Sequence, residues 1–172
     1  MPIDRGAVYE DPLTEYLQAR NLGEVTGGGT MQHENGEIEF CDLEIQLKAA
    51  PEKTTIHQII TELERLGAPK GSTLLIESTG EKIAFGKNEG IAIYLDGVNL
   101  PENVYRECDS NVVFSELKKL TGDASQAERY WQGPTETALY FYGSSFEEMK
   151  SKSHGFMSQY PLCQNARVVQ VA

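Results

Sequence analysis

The chain has 172 residues, with 15 Lys and Arg against 26 Asp and Glu, a net charge of -11 at pH 7 and a pI near 4.7. Its 40% hydrophobic content suffices for a core and excludes disorder as the main state, while the acidic balance disfavours nucleic acid, whose phosphates call for a basic patch. No apolar run approaches the roughly 20 residues of a bilayer span, and MPIDRGAVYEDPL has neither the basic start nor the apolar core of an export signal, so a soluble, cytoplasmic protein with no membrane role is expected.

Along the chain, Asp11 as N-cap and Pro12 at the first helical position predict a helix with Leu13, Tyr16 and Leu17 on one face, stopping near Asn21 or Gly23. Glu24 to Gln32 reads as a Gly-interrupted extended segment, Glu34-Asn35-Gly36 as a turn and Glu37 to Leu47 as a long strand, together a hairpin. The apolar parity of that strand slips between Phe40 and Leu43, and a bulge at Cys41-Asp42 would restore one buried face.

Thr55 and Gln58 form a capping-box pattern ahead of the stripe Ile56, Ile59, Ile60, Leu63 and Leu66, and Gly67 and Pro69 end that helix. Strands follow at Thr73 to Glu77, Lys82 to Phe85 and Gly90 to Leu95, which suggest an antiparallel meander. After a looser stretch from Asp96 to Asp109, Ser110 can cap a helix with Val113, Leu117 and Leu120 inward, ending at Gly122. Glu128 to Gln132 and Thr135 to Tyr142 read as strands around a Gly133-Pro134 turn. Ser145 and Glu148 open a helix carrying Phe146, Met149, Phe156, Met157 and Tyr160, Pro161 closes it, and Ala166 to Val171 is a final strand.

Strand, strand, helix, strand thus occurs over Glu24 to Glu77 and again over Glu128 to Val171. The expected fold is α+β, a mainly antiparallel sheet with helices on one face, arranged as two ferredoxin-like strand-strand-helix-strand halves. The chain reads as a single domain over 1–172 with repeat-like halves at 24–95 and 110–172.

Three constellations carry candidate chemistry. Gly27, Gly28, Gly29 and Thr30 can act as a ligand-binding loop through exposed N–H groups, though the run is neither GxGxxG nor GxxxxGK[ST]; with Glu24 beside it, a small neutral group or a partner's backbone suits it better than a phosphate. Glycines equally permit close backbone approach. Glu37, Glu39, Asp42 and Glu44 form an acidic strand face, either an ordinary solvated surface or a docking surface for a Lys- or Arg-rich partner.

Trp131, Tyr140 and Tyr142 belong to two aromatic segments whose neighbours, Tyr130 and Phe141, must point to the opposite side of a sheet. That aromatic surface is either covered within the fold or offered to a partner.

No cofactor or metal is called for. Cys41, Cys108 and Cys163 form no CxxC, with Cys41 and Cys163 read as buried, inert thiols; His33, His57 and His154 form no HxxH, and His33 beside Glu37 or Glu39 is the least poor beginning of a metal site. The leading functional expectation is an acidic interaction module or inhibitor of a basic protein, which resembles small bacterial immunity proteins in charge and size. Glu37, Glu39, Asp42 and Glu44 would steer it, and Trp131, Tyr140 and Tyr142 would supply contact area. Two alternatives are a small enzyme or ligand-binding protein, with Glu136, Asp96 or Glu39 as acid or base in a cleft between the halves, and a structural homo-oligomer pairing through strand edges.

Overall fold

In the computed structural model, which describes residues 5–123 and 129–172, the chain divides into two units, Met1–Lys87 and Asn88–Ala172, each with its own apolar cluster. Antiparallel sheets and helices make the fold α+β.

In the first unit a π-helical turn, Gly6–Glu10, runs directly into α1 (Asp11–Ala19). Asp11 is therefore inside a helix rather than capping one: its N–H bonds the carbonyl of Gly6, five residues back. This wider turn suits the following Pro12, which has no N–H to give and whose ring crowds a carbonyl four residues back. Leu13 and Leu17 are fully buried, as their spacing predicts.

Strands β1 (Gly23–Gln32) and β2 (Ile38–Leu47) form the expected hairpin, an antiparallel two-stranded sheet turned at Gly36, whose φ is 81°. The register shifts are not at Cys41-Asp42. They lie between Val25 and Gly27, where Thr26 is extra on β1, and opposite Met31 and Gln32, where Glu39 is extra on β2. The second shift puts Ile38 on the side of Leu43, Ile45 and Leu47, and leaves Phe40 on the outer side with Asp42 and Glu44.

Helix α2 (Lys53–Arg65) begins two residues before Thr55, with Glu52 as N-cap and no side-chain cap bond, so the Thr55-Gln58 box does not form. Its stripe packs as expected: Ile59 and Leu63 join Leu13, Leu17 and Ala68 in the core, with Val25, Leu43, Ile45 and Leu47 of the hairpin against them. Strands β3 (Ser72–Ile76) and β4 (Glu81–Phe85) make a second two-stranded sheet. Glu64 of α2 fastens its end, accepting from the Gly86 N–H at 3.2 Å and pairing with Lys87 at 2.6 Å.

The second unit runs β5 (Glu89–Asp96), α3 (Glu102–Glu107), α4 (Ser110–Thr121), β6 (Tyr130–Gln132), β7 (Glu136–Gly143), α5 (Phe146–Met157), a 3-10 turn (Pro161–Cys163) and β8 (Arg167–Gln170). The sheet order is β6-β7-β5-β8 with every neighbour antiparallel, a β-α-β-β-α-β chain in which strands are inserted between the ends of each crossover.

The expected meander fails here, because β5 pairs with β7 and β8 and not with β4. Its burial fits that place: from Gly90 to Asp96 every residue is buried, as in a strand paired on both sides rather than the last strand of a meander. Helix α3 lies in the stretch expected to be loose. Helix α4 is capped by Asp109, whose carboxylate accepts from the Asn111 N–H at 2.8 Å, one residue ahead of the expected Ser110. Ser145 caps α5 through the Glu148 N–H as its motif predicts. The start of the expected strand at Glu128 lies outside the described residues.

Ladder register sorts the sheet into two faces. Ile91, Ile93, Leu95, Leu139 and Phe141 meet Val113, Leu117, Phe146 and Met149 of the helices, with the Phe114 and Phe141 ring centroids 5.3 Å apart. Tyr94, Ala92, Ala138, Tyr140 and Tyr142 occupy the other face. No helix among the described residues is long and apolar enough to cross a membrane.

Candidate docking surface

The hairpin of the first unit owes its shape to its glycines. Gly27, Gly28, Gly29 and Thr30 are ladder residues of β1 and not a loop, and none of these glycines has a positive φ, so their N–H groups form no anion nest. They answer close approach instead. A Cβ on Gly28 would lie 2.5 Å from the carbonyl oxygen of Asp42 and 3.3 Å from Arg5 Cζ. On the outer side, Asp42 and Glu44 fold over Gly29 and Gly27, their cross-strand partners, and Asp42 Oδ1 accepts from the Gly29 N–H at 3.1 Å. The glycines thus let two carboxylates lie down on the sheet.

Beyond Leu43 the hairpin leaves its supporting core. Thr30 to Gly36 and Glu39 to Asp42 are all exposed, so both faces of the ribbon meet solvent. Met31 and Phe40 stand directly opposite each other on the outer face, each 51% exposed. Asp42 and Glu44 continue that face along β2, Glu39 sits at the register shift with His33 Nδ1 4.0 Å from its carboxylate, and Glu37 closes the turn, its carbonyl accepting from the His33 N–H at 2.8 Å. Of the four acidic residues expected on one face, Asp42 and Glu44 share it by strict alternation. Sequence reasoning missed Met31 and Phe40 because it assigned Phe40 to the buried side.

The aromatic residues lie in the second unit. By register Trp131, Tyr140 and Tyr142 share the sheet face opposite the helices, while Tyr130 and Phe141 point the other way, as alternation requires. Tyr140 is only 6% exposed. Trp131 is half-buried, its ring folded over Gly133, where any Cβ would collide with it. Tyr142 is half-buried with the Arg129 guanidinium 4.8 Å from its ring centroid. Tyr130, at 53% exposed, has the most open ring of this group.

No family model, curated protein or solved structure matches this chain. Its chemistry is therefore argued from its own side chains.

Asp96 and Glu136, two of the carboxylates considered as acid or base, are cross-strand partners at the end of the sheet. Asp96 Oδ1 accepts from the Val98 N–H at 3.0 Å, the Asn99 N–H at 2.9 Å and Asn99 Nδ2 at 3.2 Å, and Oδ2 accepts from Asn165 Nδ2 at 3.2 Å. These bonds, led by the Val98 N–H, hold its pKa down to about 2. Glu136 receives two bonds from Arg167, at 3.0 and 2.8 Å, and its pKa is also lowered, chiefly by that guanidinium, which in turn lies 4.3 Å from the Tyr94 ring centroid. Both groups are fixed as anions near neutral pH, whereas a general acid or base serves best with a pKa near the working pH.

The thiols divide by position. Cys41 is exposed on the hairpin, not buried as expected: the register puts it on the side of Leu43, but it lies in the distal part of the ribbon, where both faces meet solvent. Cys163 is buried, and loss of solvation, with Cys108 nearby, pushes its pKa up to about 11. His57 and His154 are exposed. Among the described residues no three His, Cys, Asp or Glu side chains converge as a metal site.

Proposed function

We propose that the protein is an acidic interaction module that docks a basic protein through the distal half of the β1–β2 ribbon and thereby neutralises it. The observation that carries this reading is the ribbon's exposure on both faces, with the apolar pair Met31 and Phe40 beside Glu39, Asp42 and Glu44. A two-stranded ribbon without cover on either face gains little from burial by itself, and an apolar centre rimmed by charge is the composition of a contact surface. The carboxylates supply steering and the paired Met31 and Phe40 supply desolvated area. In this reading the second unit is a ferredoxin-like scaffold, supported by its strand order, and the protein works in the cytoplasm. Trp131 and Tyr142, half-buried on the sheet of the second unit, offer contact area of that unit's own, and Tyr140 supports them from within.

The test is recovery of a protein from native cell extract on the immobilised wild type, on Phe40→Ser and on the triple variant Glu39→Lys, Asp42→Lys, Glu44→Lys. A partner retained by wild type at low salt, released by high salt and lost on both variants is expected, with circular dichroism of all three unchanged. Equal recovery on the three proteins would remove the hypothesis.

A further inference from the structure

We infer that the partner binds as a third strand along the outer edge of β2, through an extended segment that alternates basic and apolar residues. The inference rests on the docking reading above and narrows it to a mode and a chemistry. β1 and β2 pair with each other in a sheet of two, so the side of β2 away from β1 has no strand beside it among the described residues. That edge is ten residues long, Ile38–Leu47, and carries neither Pro nor Lys, two usual means of blocking strand addition.

Side chains on an added strand would alternate between the two faces of the ribbon. On the outer face they would meet Phe40, Asp42 and Glu44; on the other they would meet Cys41, Leu43 and Ile45. Lys or Arg at every second position would stand beside Asp42 and Glu44, and apolar residues between them would extend the half-buried row of Leu43 and Ile45. The same charges disfavour a second copy of this chain on that edge, because its own Asp42 and Glu44 would bring like charge against like. The acidic residues thus act as a filter on an edge that is otherwise open to any strand.

The probe is a synthetic peptide amide of alternating Lys and Val, compared with an alternating Glu and Val peptide and with two N-methylated forms of the Lys peptide. One form is methylated at the odd residues and the other at the even ones, since a strand bonds one neighbour with alternate N–H groups. Binding to the full chain is followed by calorimetry and by hydrogen exchange of the β2 amides.

The Lys peptide should slow exchange within Ile38–Leu47, one methylated form should lose about tenfold or more in affinity while the other binds as the parent, and the Glu peptide should not bind. Asp42→Lys with Glu44→Lys should weaken the Lys peptide about tenfold, and the loss should shrink at high salt. Equal binding of both methylated forms would overturn strand addition and leave docking on the ribbon face standing. Binding of the Glu peptide, or no binding of the Lys peptide while a natural partner is still recovered, would overturn the alternating basic chemistry.

Discussion

Asp96 shows how one carboxylate organises a turn. It ends β5 and takes the backbone N–H groups of Val98 and Asn99 on one oxygen and Asn165 on the other, which lowers its pKa to about 2. An unfolded Asp titrates near 3.9, so the folded form is the weaker base. Above about pH 4 the carboxylate is ionised in both states and its stabilising contribution is complete; as the pH falls toward 2 the unfolded chain takes up the proton first and that contribution is lost. Asp96→Asn should therefore melt at a lower temperature than the parent at pH 7, and the gap should close between pH 4 and pH 2. Parallel melting profiles across that range, measured by circular dichroism, would show that the carboxylate's charge contributes nothing. Part of this site was legible, since Asp-Gly-Val-Asn at 96–99 is a turn signature in which Asp bonds the backbone two residues on. The bond from Asn165 was not, because 69 residues separate it from Asp96 and only the pairing of β5 with β8 brings them together.

At the level of elements, alternation and turn residues located the strands among the described residues closely but could not fix how two strands lie against each other. The parity slip in β2 was visible as a break between Phe40 and Leu43. Its cause, an extra residue at Glu39, depends on the register with β1, which the strand's own sequence does not contain. Helix starts erred for a related reason: Asp11 and Thr55 are sound capping residues, yet helical backbone continues ahead of both. The glycine run is the clearest case, since glycines in a strand serve either a ligand or a neighbouring backbone, and register decides. At Gly28 the obstacle is the carbonyl of Asp42 in the paired strand, 2.5 Å from any Cβ; at Gly27 it is the carboxylate tip of Glu44, 3.0 Å away, which can swing aside. Gly28→Ala should destabilise the protein by about 1–3 kcal/mol, the usual range for overpacking, and Gly27→Ala by clearly less, as measured by urea unfolding. Equal effects would mean that the ribbon shifts freely and that close approach is not what the glycines secure.

Over the whole molecule, net charge and core formation belong to different places. The carboxylates of β2 stand on a ribbon whose distal half adds little to any core, while β5, β7 and the helices α4 and α5 build an apolar cluster from residues 88–172 alone. The buried run from Gly90 to Asp96 was visible in the sequence as a strand; its place at the centre of the sheet was not, because its partners lie 40 to 80 residues later. A four-stranded sheet with helices packed on one face contains the layers and the number of paired strands that an independent fold requires. Residues 88–172 expressed alone should accordingly unfold in one cooperative transition, followed by the fluorescence of Trp131, the single tryptophan of the chain. Phe141→Ala in that fragment should cost about 3–5 kcal/mol, because the ring is fully buried against Phe114 at the centre of the cluster. A broad, non-cooperative loss of signal in the parent fragment would show that its sheet needs residues 1–87 to fold, and a small effect of Phe141→Ala would show that the cluster is loosely packed.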